Sequence, residues 1–181
     1  MAVIILDEWK AHEEEIQMLL EATFAASEGL EEGQLIGTLA RNLLATTPED
    51  DIRVFTIVAE TRLLACSIFT RLSFTQDARC AFLLSPMAVS TKEQGKGLGK
   101  ALLNHALDAL KRSHVDLAVT YGDPAYYGQV GFMPVAHAVL PAPFELQQPE
   151  GWLARSLTGL AISPVSGKSI CAAALNDASY W

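Results

Sequence analysis

The stretch from Met87 to Leu103, Met-Ala-Val-Ser-Thr-Lys-Glu-Gln-Gly-Lys-Gly-Leu-Gly-Lys-Ala-Leu-Leu, constrains this chain more than any other. Its start reads as the end of a strand, its middle as a polar connector and a glycine-dense turn, its end as the first turns of a helix. Gly95, Gly97 and Gly99 stand within five consecutive positions. Lacking a Cβ, they let the backbone wrap closely around a bound group. At a helix start, free N–H groups and the positive end of the helix dipole favour a phosphate.

Spacing narrows the choice of phosphate. A P-loop needs GxxxxGK[ST], and Gly95 followed by Lys100-Ala101 does not supply it. A dinucleotide fingerprint needs GxGxxG soon after the first strand of a βαβ unit. Here Gly95-Lys96-Gly97 is followed by Leu98-Gly99-Lys100, so the third glycine is out of place. The turn also follows several strands instead of opening the fold.

Composition sets the class. Of 181 residues, 50% are hydrophobic and 19% charged, which predicts one compact domain, residues 1–181, with a sizeable core and no disordered tract. Apolar runs are short and interrupted, so no membrane span is expected. Met1–Trp9 lacks a basic flank and a small-residue cleavage site, and reads as a first strand in a cytoplasmic chain. A net charge of −8 counts against a nucleic-acid partner. Cys66, Cys80 and Cys171 are widely spaced in apolar surroundings and read as buried structural thiols. Without a CxxC or HExxH pattern, no metal site is expected.

Periodicity orders the elements. After a strand at Val3–Leu6, the spacing of Trp9, Ile16, Leu19, Leu20 and Phe24 predicts an amphipathic helix, with Glu13, Glu14, Glu15 and Glu21 on its wet side. A break is expected at Ser27-Glu28-Gly29, then a second helix from about Leu30 or Gln34 to Leu44, the later start leaving Ser27–Gly33 as a loop. Ile52–Ala59, Leu63–Leu72 and Arg79–Val89 read as an antiparallel meander. Gly97–Ser113 reads as a helix and Val115–Tyr121 as a strand, so a crossover of this length pairs it in parallel with Arg79–Val89. A short helix at Pro124–Gln129, capped by Asp123, leads to a strand near Phe132–Leu140. Trp152–Thr158 and Ser169–Ala173 are the remaining strand candidates.

Gln94-Gly95-Lys96-Gly97-Leu98-Gly99 is similar to the Q/R-x-x-G-x-G/A element of the GNAT superfamily of N-acetyltransferases. Ala125-Tyr126-Tyr127-Gly128-Gln129-Val130-Gly131-Phe132 resembles that superfamily's A-x-Y-x-x-x-G-F segment, and Gly122-Asp123-Pro124 before it resembles a bacterial subgroup. The order of elements agrees over about residues 3–140. The resemblance implies a mixed α/β acyl-CoA N-acyltransferase fold: a mostly antiparallel sheet with one splayed parallel pair and helices on both faces. Residues 141–181 would then close the acceptor side.

The resemblance also implies a chemistry. Acetyl-CoA would enter where the parallel strands diverge, with Gln94, Gly95, Lys96, Gly97, Leu98, Gly99 and Lys100 around its pyrophosphate. Met87, Ala88 and Val89 would bind the pantetheine arm as a mock strand, and the Met87 N–H would stabilise the thioester oxyanion. Tyr127 stands at the general-acid position. Asp123 stands where many members have a cofactor-contacting Asn, and as a helix cap it has a second reading. Glu28, Glu31 and Glu32 would draw a cationic small-molecule or peptide amine. The expected protein is a monomer or homodimer transferring acetyl directly in a ternary complex. A non-catalytic acyl-CoA sensor is the alternative.

Overall fold

The structure, a computed structural model, describes residues 3–181. Its contacts divide the chain into two compact units, residues 1–69 with 86–106, and residues 70–85 with 107–181. Hydrogen-bonded strands follow the order β1 (Ile4–Leu6), β2 (Ile52–Ala59), β3 (Arg62–Phe74), β4 (Asp77–Val89), β5 (Leu117–Tyr121), β7 (Trp152–Ser156), β6 (Met133–Pro134), with β8 (Ser169–Ile170) added to β3. Strands β3 (Arg62–Phe74) and β4 (Asp77–Val89) and helix α3 (Leu98–Arg112) each run from one unit into the other.

In the first unit, β1 (Ile4–Leu6) pairs antiparallel with β2 (Ile52–Ala59), from Ile4↔Val58 to Leu6↔Thr56. Glu60-Thr61 alone joins β2 to β3, with Glu60 at φ 55°, a connection so short that the strands must be antiparallel. Helix α1 (Glu13–Glu28) buries Ile16, Leu20 and Thr23, one face at helical spacing. Helix α2 (Leu30–Thr46) buries Ile36, Leu39, Ala40, Leu43 and Leu44. The two helices touch through small residues. A Cβ on Gly33 would come within 2.6 Å of Ala25 Cβ and the Glu21 carbonyl, and one on Gly37 within 2.8 Å of the Glu21 carboxylate.

Of the two expected starts of the second helix, Leu30 holds, so the loop over Ser27–Gly33 shrinks to one residue. Gly29 alone, at φ 105°, reverses the chain, because a residue free to adopt positive φ makes a longer turn unnecessary. Glu28 therefore ends α1, while Glu31 and Glu32 sit in the first turn of α2, where the dipole favours carboxylates. Glu21, expected on the wet side, is half-buried against Gly37.

In the second unit, β4 pairs in parallel with β5 (Leu117–Tyr121) over Ala81↔Leu117, Phe82↔Ala118, Leu83↔Val119 and Leu84↔Thr120. β5 pairs antiparallel with β7 (Trp152–Ser156), which pairs antiparallel with β6 (Met133–Pro134). A four-residue helix α4 (Pro124–Tyr127) continues as a 3-10 turn, Gly128–Val130. The expected mixed α/β class holds, a mostly antiparallel sheet with the β4–β5 pair parallel.

Two expected strands shrink. Phe132–Leu140 keeps only Met133–Pro134, because the following residues fold back: Val139 and Leu140 both donate to the Ala136 carbonyl, at 2.9 and 3.0 Å. Ser169–Ala173 keeps only β8 (Ser169–Ile170), which pairs with Ser73 and Phe74 at the end of β3. The cysteines also differ from expectation. Cys66 is buried, but Cys80 and Cys171 are half-buried, and all three are free thiols. Cys80 lies near the start of β4, where the Arg71 guanidinium donates to its Sγ at 3.3 Å. No helix among the described residues is long and apolar enough to cross a membrane.

Candidate cofactor and catalytic site

The glycine turn belongs to the first unit. β4 ends at Val89, and the Ser90 N–H donates to the Leu64 carbonyl at 2.8 Å, anchoring the exit. A 3-10 turn, Thr91–Glu93, follows, and the Gln94 side-chain amide donates back to the Val89 carbonyl at 3.0 Å. Gln94 thus ties the start of the turn to the end of the strand. Gly95 and Gly97 have φ of 75° and 82°, and no atom lies within 4 Å of a Cβ added at either. Glycine is therefore needed for the left-handed backbone. The space beside it stays free for a ligand.

The Ala101 N–H closes the first turn of α3 on the Gly97 carbonyl at 3.0 Å. The N–H groups of Leu98, Gly99 and Lys100, at the head of that helix, have no acceptor within it. Those donors and the helix dipole make the exposed turn a cradle for an anion. Lys96 pairs with Glu93 at 2.9 Å, and Lys100 is exposed one turn further on. Met87, Ala88 and Val89 continue β4 beyond its last pair with β5, Leu84↔Thr120, and the preceding Pro86 brings no N–H to the ladder. Burial pushes the Cys66 thiol up to about 12, partly opposed by the Ala88 backbone.

Tyr127 belongs to the second unit. The Asp123 carboxylate accepts from the Ala125 N–H at 2.8 Å, capping α4, and Pro124 supplies a pre-set first helical residue. Gly122 shapes the seat of Tyr127, because a Cβ there would lie 2.6 Å from Tyr127 Cε2. Tyr126 and Phe132 pack edge-on to the Tyr127 ring, at centroid distances of 5.1 and 5.8 Å. Burial, then the Tyr126 and Asp123 charges, push the Tyr127 hydroxyl above the ordinary phenol value, partly opposed by the Thr120 side chain. Tyr127, half-buried on α4, is a phenol at neutral pH and so a proton donor.

This pattern, a strand, a Gln-tethered glycine turn and a helix, matches one family over most of the chain. A model of the Acetyltransferase (GNAT) family covers residues 6–132. The chain belongs to the GNAT acetyltransferase family. Relatives of this GNAT chain include two from Escherichia coli, the uncharacterised N-acetyltransferases YhbS and YjhQ. YhbS is 41% identical over 54 residues, 30% of this chain and 32% of the relative, so the chain spans about a third of that relative's length. YjhQ is 29% identical over 110 residues, 58% of this chain and 60% of the relative. In fold, the chain is similar to the crystal structure of E. coli YhbS in complex with CoA, with a TM-score of 0.83 at 21% identity over 97% of this chain and 93% of that one. It is also similar to a GNAT acetyltransferase from Brucella melitensis in complex with acetyl-CoA, with a TM-score of 0.71 at 19% identity over 96% and 98% of the two chains.

The residues expected to act together fall into three local groups. Gln94–Gly97 form an exposed turn that runs into the helix start, where Leu98 is half-buried, Gly99 buried and Lys100 exposed. Asp123 and Tyr127 share α4, with Asp123 spending one carboxylate oxygen on the cap. Glu28 and Glu31 are exposed and Glu32 half-buried, around the Gly29 turn. Sequence reading missed that Gly122 seats the Tyr127 ring and that Thr120 bonds the Leu84 carbonyl across the parallel pair. Gly122 directly after a strong strand was the available signal. The Thr120 side chain gave none, because its partners depend on strand register.

Proposed function

We propose that this GNAT chain is an N-acetyltransferase that moves the acetyl group of acetyl-CoA to the amine of a small molecule or peptide, directly, in a ternary complex. Residues 1–181 act in this proposal as one catalytic domain. The observation that carries it is the turn at the head of α3, with Gly95 and Gly97 at positive φ, open beside their backbones and followed by N–H groups free of helical acceptors. That geometry suits a pyrophosphate, and relatives of the same fold were crystallised with CoA and acetyl-CoA.

Each group has a task. The N–H groups of Gln94–Lys100 hold the pyrophosphate, with Lys96 and Lys100 adding positive charge. Met87, Ala88 and Val89 offer strand-like hydrogen bonds to the pantetheine arm, as a sheet edge does to a peptide. The Met87 N–H stabilises the thioester oxygen as negative charge develops on it. The amine reacts as its free base, its nitrogen bonding the carbonyl carbon as the C–S bond breaks. Tyr127 gives its phenol proton to the departing thiolate, and the proton shed by the amine passes to water. Asp123 fixes the start of α4 and contacts the cofactor with its second carboxylate oxygen. Glu28, Glu31 and Glu32 lend a negative field that draws protonated amines.

Thermal-shift titration with acetyl-CoA and with NAD, followed by CoA-thiol release across a panel of primary amines and peptide amino termini, tests this. The expected result is stabilisation by acetyl-CoA and not by NAD, with amine-dependent thiol release. Stabilisation without release for any amine would assign an acyl-CoA-binding module instead. Absence of stabilisation would overturn the reading.

A further inference from the structure

A cavity of about 640 Å³ opens within the second unit, lined by residues 135–137, 142–146, 149 and 152. That volume suits one small molecule. Depth sorts the lining: Trp152 and Ala142 are buried, Phe144 and Leu146 half-buried, His137 and Glu145 exposed. The floor is apolar because its polar atoms are already engaged. Trp152 Nε1 donates to the Leu140 carbonyl at 2.9 Å. Trp181, outside the lining, braces it, edge-on to Trp152 at 6.0 Å and stacked on Phe144 at 6.1 Å, with its own Nε1 donating to the Leu175 carbonyl. At the rim, His137 Nδ1 accepts from the Ala142 N–H at 3.4 Å. Glu145 is the one carboxylate of the lining, and among the described residues no Lys or Arg joins it.

The same wall is fastened to the seat of Tyr127. The Gln148 N–H donates to the Tyr121 hydroxyl at 2.8 Å, and the Gly122 N–H to the Gly151 carbonyl at 2.9 Å. Gly122 is the residue whose missing Cβ leaves room for the Tyr127 ring. One hydrogen-bonded frame therefore carries both the cavity and the tyrosine.

We propose that this cavity holds the acceptor, and that the acceptor is a small primary amine on an apolar body without negative charge. The inference rests on the N-acetyltransferase reading and gives its acceptor a class. The body lies against Phe144 and Trp152, where its apolar surface leaves water. An anionic group at that floor would lose its hydration and find both indole N–H groups taken. Glu145 at the mouth favours the protonated amine on approach. The ammonium sheds one proton to water and reacts as described above: its nitrogen bonds the acetyl carbon as the C–S bond breaks. Its second proton passes to water, the thiolate takes the Tyr127 proton, and water restores the phenol.

The test is CoA-thiol release with ethylamine, butylamine, hexylamine and 6-aminohexanoate as acceptors. Along the alkylamines kcat/KM is expected to rise by up to about fourfold per added CH₂. The 6-aminohexanoate value is expected at or below that of ethylamine. Leu146→Trp fills the cavity and should bring hexylamine down to ethylamine, with the KM for acetyl-CoA unchanged. Glu145→Lys, at an exposed position, should raise the hexylamine KM about fivefold, and it carries the test if Leu146→Trp fails to fold. A flat alkylamine series, 6-aminohexanoate as good as hexylamine, a slope that survives Leu146→Trp in a folded protein, or an unchanged hexylamine KM in Glu145→Lys overturns this role for the cavity. Thiol release with other amines then leaves the transferase reading standing. Absence of release with every amine and peptide amino terminus tried overturns that reading, and this inference with it.

Discussion

Gly122 and Tyr127 exclude any side chain between them, since a Cβ on Gly122 would stand 2.6 Å from Tyr127 Cε2. Position 122 therefore decides where the phenol sits, although it carries no chemistry itself. Replacing Gly122 with Ala forces the ring or the backbone to move, an overpacking change costing about 1–3 kcal/mol. The expected outcome is a lower melting temperature and a fall in kcat larger than the change in acetyl-CoA affinity. Steady-state kinetics beside a thermal melt checks it.

Tyr127→Phe removes the proton donor and keeps the ring against Tyr126 and Phe132. General-acid groups contribute about 10²–10⁴-fold, so kcat should fall within that range while acetyl-CoA affinity stays near wild type. Calorimetric binding and thiol-release kinetics on the same preparation separate the two quantities. Equal turnover in variant and wild type would remove Tyr127 from the reaction.

Asp77 ties the C-terminal segment to β4. Its carboxylate accepts from Arg79 Nε at 2.9 Å and Nη2 at 2.7 Å, and the Arg79 guanidinium reaches on to the Ser163 and Pro164 carbonyls at 2.8 and 3.0 Å. The Arg79 guanidinium holds the Asp77 carboxyl well below the ordinary carboxylate range. A lowered folded-state value means that the stabilisation is fully present above the unfolded value, about 3.9, and is lost as pH falls below it toward the folded value. Denaturant melts should show wild type losing its advantage over Asp77→Asn as pH drops from about 5 into that acid range. An advantage constant through the acid range would contradict the pairing.

Burial pushes the Cys66 thiol up to about 12, so at pH 8 it is neutral and shielded. In the folded protein, a thiol reagent should leave Cys66 unmodified and modify the half-buried Cys80 and Cys171 first. Denaturation should release the third equivalent. Mass mapping of the labelled peptides gives the answer, and native labelling of Cys66 would refute the buried placement.

The features legible in the amino-acid sequence are those governed by local rules. Gly95 and Gly97 need positive φ, and Leu98, Leu102, Ala106 and Leu110 repeat at helical spacing, so the turn and α3 follow from spacing alone. Asp123-Pro124 likewise announces the capped start of α4. Phe132–Leu140 misleads, because Phe132, Val135, Val139 and Leu140 carry a strand's composition. The carbonyl of Ala136 instead collects two N–H groups in a turn, and Leu140 is held where its carbonyl accepts from Trp152 Nε1 at 2.9 Å. That outcome depends on a residue twelve positions away. The Thr120–Leu84 hydrogen bond is hidden for the same reason: it exists only once the parallel register has brought positions 36 apart together.

The most direct test of the cofactor assignment is calorimetric titration of acetyl-CoA into wild type and Gly97→Glu. At φ 82°, the replacement is expected to cost about 1–2 kcal/mol of backbone strain and set a carboxylate at the head of α3. Saturable binding to wild type, lost in a Gly97→Glu protein that still melts cooperatively, is the predicted result. Equal affinity in the two proteins would contradict the placement of the pyrophosphate on this turn.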